Sequence, residues 1–253
     1  MKRLLILIGF LFLAASACSP AEKCNGPQSS GTVLRILFIG NSYTFVNDLP
    51  GTFAKLACSG GHKGETGMAA TGGWTLANHA ASSQTLDLLE KQKWDVVVLQ
   101  EQSEIPAIAS ARAQTMYPAA RQLVAKIKEV GARPLFFLTW GHRDGLASFG
   151  IDNYSDMQAQ LDVGYRDIAE ELHVTIAPVG YAWLKQWIQS RLNLWQDDGN
   201  HPNESGTYLA AGVLYATLFH QSPAGLSYTG GLSSDTAQLL NAVAADTVLK
   251  GSW

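Results

Sequence analysis

The sequence predicts an α/β fold: a central parallel sheet covered on both faces, in three layers, α/β/α. Two observations point there. Short apolar runs rich in β-branched residues recur along the chain, and stretches with helical spacing of apolar residues separate them. Strands joined by helices of that length cannot pair as hairpins, so they line up in parallel and bury both faces of the sheet.

The elements follow in order. Val33 to Ile39 is a strand that Gly40 ends. Asp48-Leu49-Pro50 opens a helix to about Cys58, with the proline in the first turn, where a missing N–H does least harm. Gly64 to Ala70 is a second strand, Ser83 to Gln92 a helix, and Trp94 to Gln100 a buried strand. Ala111 to Val130 carries Leu123, Ile127 and Val130 at helical spacing and stops at Gly131. Pro134 to Thr139 is the next strand, Ser155 to Leu172 a helix, Val174 to Val179 a strand and Tyr181 to Ser190 a helix. Two more helices complete the chain. Trp183 and Trp187, four apart on one helix, belong to the core.

Ahead of the first strand, Lys2-Arg3 and the apolar run Leu4 to Ala15 have the layout of a secretory signal peptide over residues 1–17. The run is too short for a membrane span. Ala15-Ser16-Ala17-Cys18 resembles a bacterial lipoprotein site, with Cys18 the lipidated residue. Because Ala15 stands where Leu is commoner, cleavage without lipid is the alternative. Ser19 fits sorting to an outer membrane, so the expected location is the periplasm or the outer membrane of a bacterium. Residues 18–31 form a tether and 32–253 the folded domain. Cys24 and Cys58 remain, and an oxidising compartment would allow them to pair.

With 47% apolar residues, 15% charged and a net charge of -3, the chain suits a single well-filled domain and offers no clustered basic surface for nucleic acid. No cysteine or histidine spacing suggests a metal or cofactor site. The expected partner is a small-molecule or glycan ester, with membrane contact only through the anchor.

The chemistry lies in two places. Ser42 follows the first strand in Gly40-Asn41-Ser42, and Asp198-Gly199-Asn200-His201 lies near the C-terminus. A serine nucleophile needs an imidazole to take its proton, and the imidazole needs an acceptor on its other nitrogen. Asp198 and His201 are spaced for the second requirement; Asp197 is one residue further off. His62, His79, His142, His173 and His220 lack a carboxylate at such spacing. In parallel sheets, ligands bind beyond the carboxyl ends of the strands. Ser42, the 100–103 loop and the 140–144 loop all lie there, and Tyr43, Trp74, Gln100 and Trp140 are candidates to line a substrate.

No Gly-x-Ser-x-Gly elbow occurs, which argues against an α/β-hydrolase. Ile39-Gly40-Asn41-Ser42-Tyr43, Leu99-Gln100-Glu101-Gln102-Ser103 and Asp198-Gly199-Asn200-His201-Pro202, in that order, resemble a bacterial subgroup of the SGNH (GDSL-like) hydrolase family over roughly residues 33–220. Asn41 stands where the family usually has Asp. The resemblance implies a flavodoxin-like fold, with Ser42 as nucleophile, His201 as general base then acid, and Asp198 as its orienting group. It implies an oxyanion hole of the Ser42 amide, the Gly73 amide in Gly72-Gly73-Trp74-Thr75, and a third-block side chain. Gln102 stands at the family's asparagine position, with Gln100 the alternative. The expected reaction is hydrolysis of an O-acyl ester, an O-acetyl group on carbohydrate in particular. A lysophospholipase or thioesterase, or a noncatalytic glycan-binding lipoprotein, is the alternative.

Overall fold

The computed structural model describes residues 33–251; the signal sequence, Cys18, Cys24 and the tether expected from the sequence lie outside them. Five strands form one parallel sheet in the order β2-β1-β3-β4-β5: β1 Leu34–Gly40, β2 Gly64–Ala70, β3 Val96–Leu99, β4 Arg133–Phe137 and β5 Thr175–Ala177. The helices are α1 Ser42–Phe45, α2 Leu49–Ser59, α3 Leu76–Ala80, α4 Ser83–Lys91, α5 Ala109–Ala111, α6 Tyr117–Glu129, α7 Tyr154–Leu172, α8 Val179–Ser190, α9 Glu204–Phe219 and α10 Ser234–Leu249.

Alternation along each strand separates two cores. Ile36, Phe38, Val96, Val98, Leu135 and Phe137 pack under α2, α8, α9 and α10, with Phe53, Trp183 and Leu209. Leu37, Ile39, Val97, Leu99, Phe136 and Ile176 pack under α3, α4, α6 and α7, with Leu76, Leu89, Leu123 and Ile168. Residues two apart point to the same side of a pleated strand, so a wholly apolar strand feeds both layers.

Several elements differ from the sequence expectation, two helices most of all. The helix expected to start at Ala111 begins with a π-helical turn over Arg112–Met116 before α6, where Pro118 has no N–H for a continuing α-helical ladder. The five-residue α3 went unread, although a capping box of Thr75 and Asn78 starts it. Cys58 is disulfide-bonded, its partner falling outside the described residues.

The strand order reverses direction at the β1/β3 junction. The loops leaving β1 and β3 therefore diverge to opposite faces and open a crevice between them, the usual place for a ligand in an open α/β sheet.

Candidate active site

β1 runs straight into the Ser42 turn. Gly40 leaves no room for a side chain: a Cβ there would stand 2.4 Å from both the Gln100 Oε1 and the Thr44 Oγ1. Asn41 caps α1 by accepting from the Tyr43 N–H at 3.1 Å, and its Nδ2 donates to the Trp74 carbonyl at 2.9 Å. Gln100, fully buried, completes the support. Its Oε1 accepts from the Asn41 N–H and the Thr44 hydroxyl, both at 2.9 Å, and its Nε2 donates to the Asn41 Oδ1 at 3.0 Å and to the Glu101 carbonyl. From beneath, buried His79 reaches the Gly40 carbonyl through Nε2 at 2.7 Å and Thr85 through Nδ1 at 3.0 Å, and burial holds its pKa below the usual value against the pull of that carbonyl.

His201 arrives from the far end of the chain. The segment before α9 is pinched by the Trp195–Pro202 bridge and by the Gln196 N–H donating to the His201 carbonyl at 2.8 Å. Asp198 closes the turn, its Oδ1 accepting from the Asn200 and His201 amides at 2.9 and 3.0 Å. Its other oxygen lies 2.6 Å from His201 Nδ1, and His201 Nε2 lies 2.9 Å from the Ser42 hydroxyl. Three side chains separated by 159 residues of sequence thus form one continuous line of hydrogen bonds. Partial burial raises the Asp198 pKa, but the His201 hydrogen bond and the two amides outweigh it and hold the carboxyl below its ordinary value. Asp197 is exposed and takes no part in this line.

The remaining candidates divide. The amides of Ser42 and Gly73 have no acceptor among the described residues, and Gly73 adopts a left-handed φ of 73° that a side chain would strain. Gln102 is half-buried; its Oε1 accepts from the Glu104 and Ile105 amides at 2.9 and 3.2 Å, leaving Nε2 turned toward the Ser103 hydroxyl at 3.4 Å. Trp74 is half-buried with its ring edge-on to His79.

Three candidates for lining a substrate are corrected by burial. Gln100 spends its whole amide under the Ser42 turn. Trp140 has no exposed surface: it is sandwiched between Tyr43 and Trp183, at ring separations of 4.3 and 4.0 Å, and donates Nε1–H to the Asn200 carbonyl at 3.0 Å. Tyr43 is only 2% exposed, and its hydroxyl donates to the Asn200 side chain. Desolvation raises the Tyr43 pKa far above the phenol range, so it stays a neutral donor. This aromatic column clamps the histidine loop rather than meeting solvent.

His142, which has no carboxylate at triad spacing in sequence, gathers here with Arg143 and Glu101. His142, after β4, places Nε2 3.1 Å from the Ser103 hydroxyl and senses the charges of Asp198 and His201. Its neighbour Arg143 donates its amide to the Gly199 carbonyl at 2.7 Å, docking this loop on the histidine loop. Glu101 is fully buried, with Oε1 accepting from the Leu76 and Gln102 amides at 3.0 and 2.7 Å. All three lie on the 100–103 and 140–144 loops assigned to this edge, which was the signal available for them. Two cavities, of about 520 and 330 Å³, lie at the other end of the strands around His173 and include none of these residues.

No protein-family model and no curated protein matches the chain. Solved structures do. A protein from Bacteroides uniformis described as a DUF4886 family member superposes over 88% of this chain and 97% of its own, with a TM-score of 0.76 at 18% identity. A variant of an acetyl-xylooligosaccharide esterase from Geobacillus superposes over 76% of this chain and 95% of its own, with a TM-score of 0.56 at 16% identity. At these identities the likeness concerns the fold. A protein from Slackia heliotrinireducens, assigned to the SGNH hydrolases, is 30% identical, matches over 74% of this chain and all of its own, and has a TM-score of 0.64. With that identity over the whole of the Slackia protein, and with the same α/β architecture, this chain belongs to the SGNH hydrolase family.

Proposed function

We propose that this hydrolase is a serine esterase that removes O-acyl groups, O-acetyl in particular, from carbohydrate. Ser42 attacks the ester carbonyl while His201 takes its proton; Asp198 keeps the imidazole in the tautomer that accepts at Nε2 and stabilises the imidazolium that forms. The amides of Ser42 and Gly73 and the Nε2 of Gln102 hold the oxyanion. His201 then protonates the departing sugar alcohol, and water, activated by the same imidazole, hydrolyses the acyl-enzyme.

The observation that carries this reading is the unbroken Ser42–His201–Asp198 line, with both of its contacts within 3 Å. The substrate class draws on the fold shared with an acetyl-xylooligosaccharide esterase and on the location expected from the leader, where a cell meets acetylated glycans. We place the mature protein in the periplasm or at the outer membrane, anchored through Cys18. The disulfide at Cys58 favours an oxidising compartment of that kind.

Turnover of p-nitrophenyl acetate tests the reaction. Ser42→Ala is expected to lower kcat by at least about a thousandfold with the melting temperature unchanged, as loss of an activated nucleophile does. Hydrolysis retained in a folded Ser42→Ala chain would overturn the assignment.

A further inference from the structure

We propose that Asn47 is a positioning residue for the histidine: it fastens the backbone directly after His201 to the segment that carries Ser42, and so sets the contact between the two. The inference rests on the esterase reading above and adds a part to that site.

Asn47 lies exposed in the turn Val46–Asp48 between α1 and α2. It and Asp48 both take left-handed backbone, with φ of 56° and 52°, a conformation that is costly for most residues and that asparagine and aspartate tolerate best. Asp48 has a local reason, because its carboxylate caps α2 by accepting from the Gly51 amide at 3.1 Å. Asn47 reaches outward instead. Its Nδ2 donates to the Pro202 carbonyl at 2.9 Å and to the Thr207 hydroxyl in α9 at 3.1 Å. A carbonyl can only accept, so the amide nitrogen must face it.

His201 is thereby held on both sides. Tyr43 donates its hydroxyl to the side chain of Asn200, just before the histidine, and Asn47 donates to the carbonyl of Pro202, just after it. Apart from the Ser42–His201 contact, these are the hydrogen bonds that tie residues 42–48 to residues 198–202 among the described residues. The other ties on this loop come from within it, through Asp198 and Gln196, or from the β4 side, through Trp140 and Arg143. Those fix the shape of the loop and dock it on β4; Tyr43 and Asn47 register it against the nucleophile's own segment. The Asn47 side chain can be removed without leaving a buried group unpaired, since it is exposed and the Pro202 carbonyl keeps the Gln196 Nε2 at 3.1 Å.

The test uses two variants. Asn47→Gly keeps the left-handed turn at no steric cost and removes only the donor. Asn47→Asp keeps the size and the turn but sets an oxygen toward the Pro202 carbonyl. With p-nitrophenyl acetate, both are expected to lower kcat by about ten- to hundredfold, as misplacing a reacting group by about 1 Å does, and to leave KM within about twofold. A residue that only stabilised the turn would shift the melting temperature and leave the kcat of the folded protein alone. A folded Asn47→Gly chain with wild-type kcat overturns the inference, as does a loss that falls on KM alone. Failure of both variants to fold overturns it too, since Asn47 would then hold the fold and not the histidine. In each of these cases wild-type turnover leaves the esterase reading standing. A wild type inert toward p-nitrophenyl acetate overturns that reading and this inference together.

Discussion

Asn41 stands where most of the family carries aspartate, and the structure gives the exchange a physical reason. Its Nδ2 donates to the Trp74 carbonyl at 2.9 Å while its Oδ1 accepts from Tyr43 and Gln100. An aspartate accepts equally well but has no proton for Trp74, so two oxygens would face each other in a site only 3% exposed. An unpaired buried carbonyl costs about 1–3 kcal/mol, more beside a charge. Asn41→Asp is therefore expected to lower the melting temperature by about 2–12 °C for a domain of this size, read by calorimetry at pH 7. An unchanged melting temperature would show that the Asn41–Trp74 contact contributes nothing. The sequence made the substitution visible but not its reason, because the Trp74 carbonyl is 33 residues away.

At the scale of elements, Glu101 joins the loop after β3 to the start of α3. One oxygen takes the Leu76 and Gln102 amides; the other is buried without a partner. Desolvation raises the Glu101 pKa from 4.5 to about 7, although both amides pull it down. A carboxyl whose pKa is raised on folding stabilises the fold while protonated. That contribution is whole below pH 4.5 and is lost as pH rises through about 7, amounting to about 3 kcal/mol by the linkage relation. Glu101→Gln cannot ionise. The stability of wild type relative to Glu101→Gln, from urea unfolding at a series of pH values, is expected to fall between pH 4.5 and 8; a difference independent of pH would contradict the assignment. Helix starts on this scale are set by side chains next to them in sequence. Asn203 caps α9 through the Gly206 amide at 3.0 Å and Asn153 caps α7 through Asp156. By contrast α9 is buried on nearly every side, packed by α2, α8 and α10, so it has no polar face to reveal its orientation.

For the whole molecule, the parallel sheet and its covering helices were legible because strand periodicity is a local property. Strand order was legible only through the resemblance to a flavodoxin-like family, since nothing in the apolar runs says that β1 lies between β2 and β3. The Ser42 and Asp198–His201 segments could be read as partners because nucleophilic chemistry requires both. The exposure of Trp140 could not be read: its neighbours Tyr43 and Trp183 come from different elements, and together they turn a candidate binding surface into a clamp. His142 was hidden for the opposite reason. Its partner is the hydroxyl of Ser103, 39 residues away, and no carboxylate marks it in sequence. The central claim, that the fold brings His201 to Ser42 to activate it, meets its most direct test in labelling with a fluorophosphonate, followed by peptide mass spectrometry. The account predicts a single adduct on Ser42 in the wild type and its loss in a folded His201→Ala chain. A folded wild type left unlabelled, or an adduct on another serine, would contradict it.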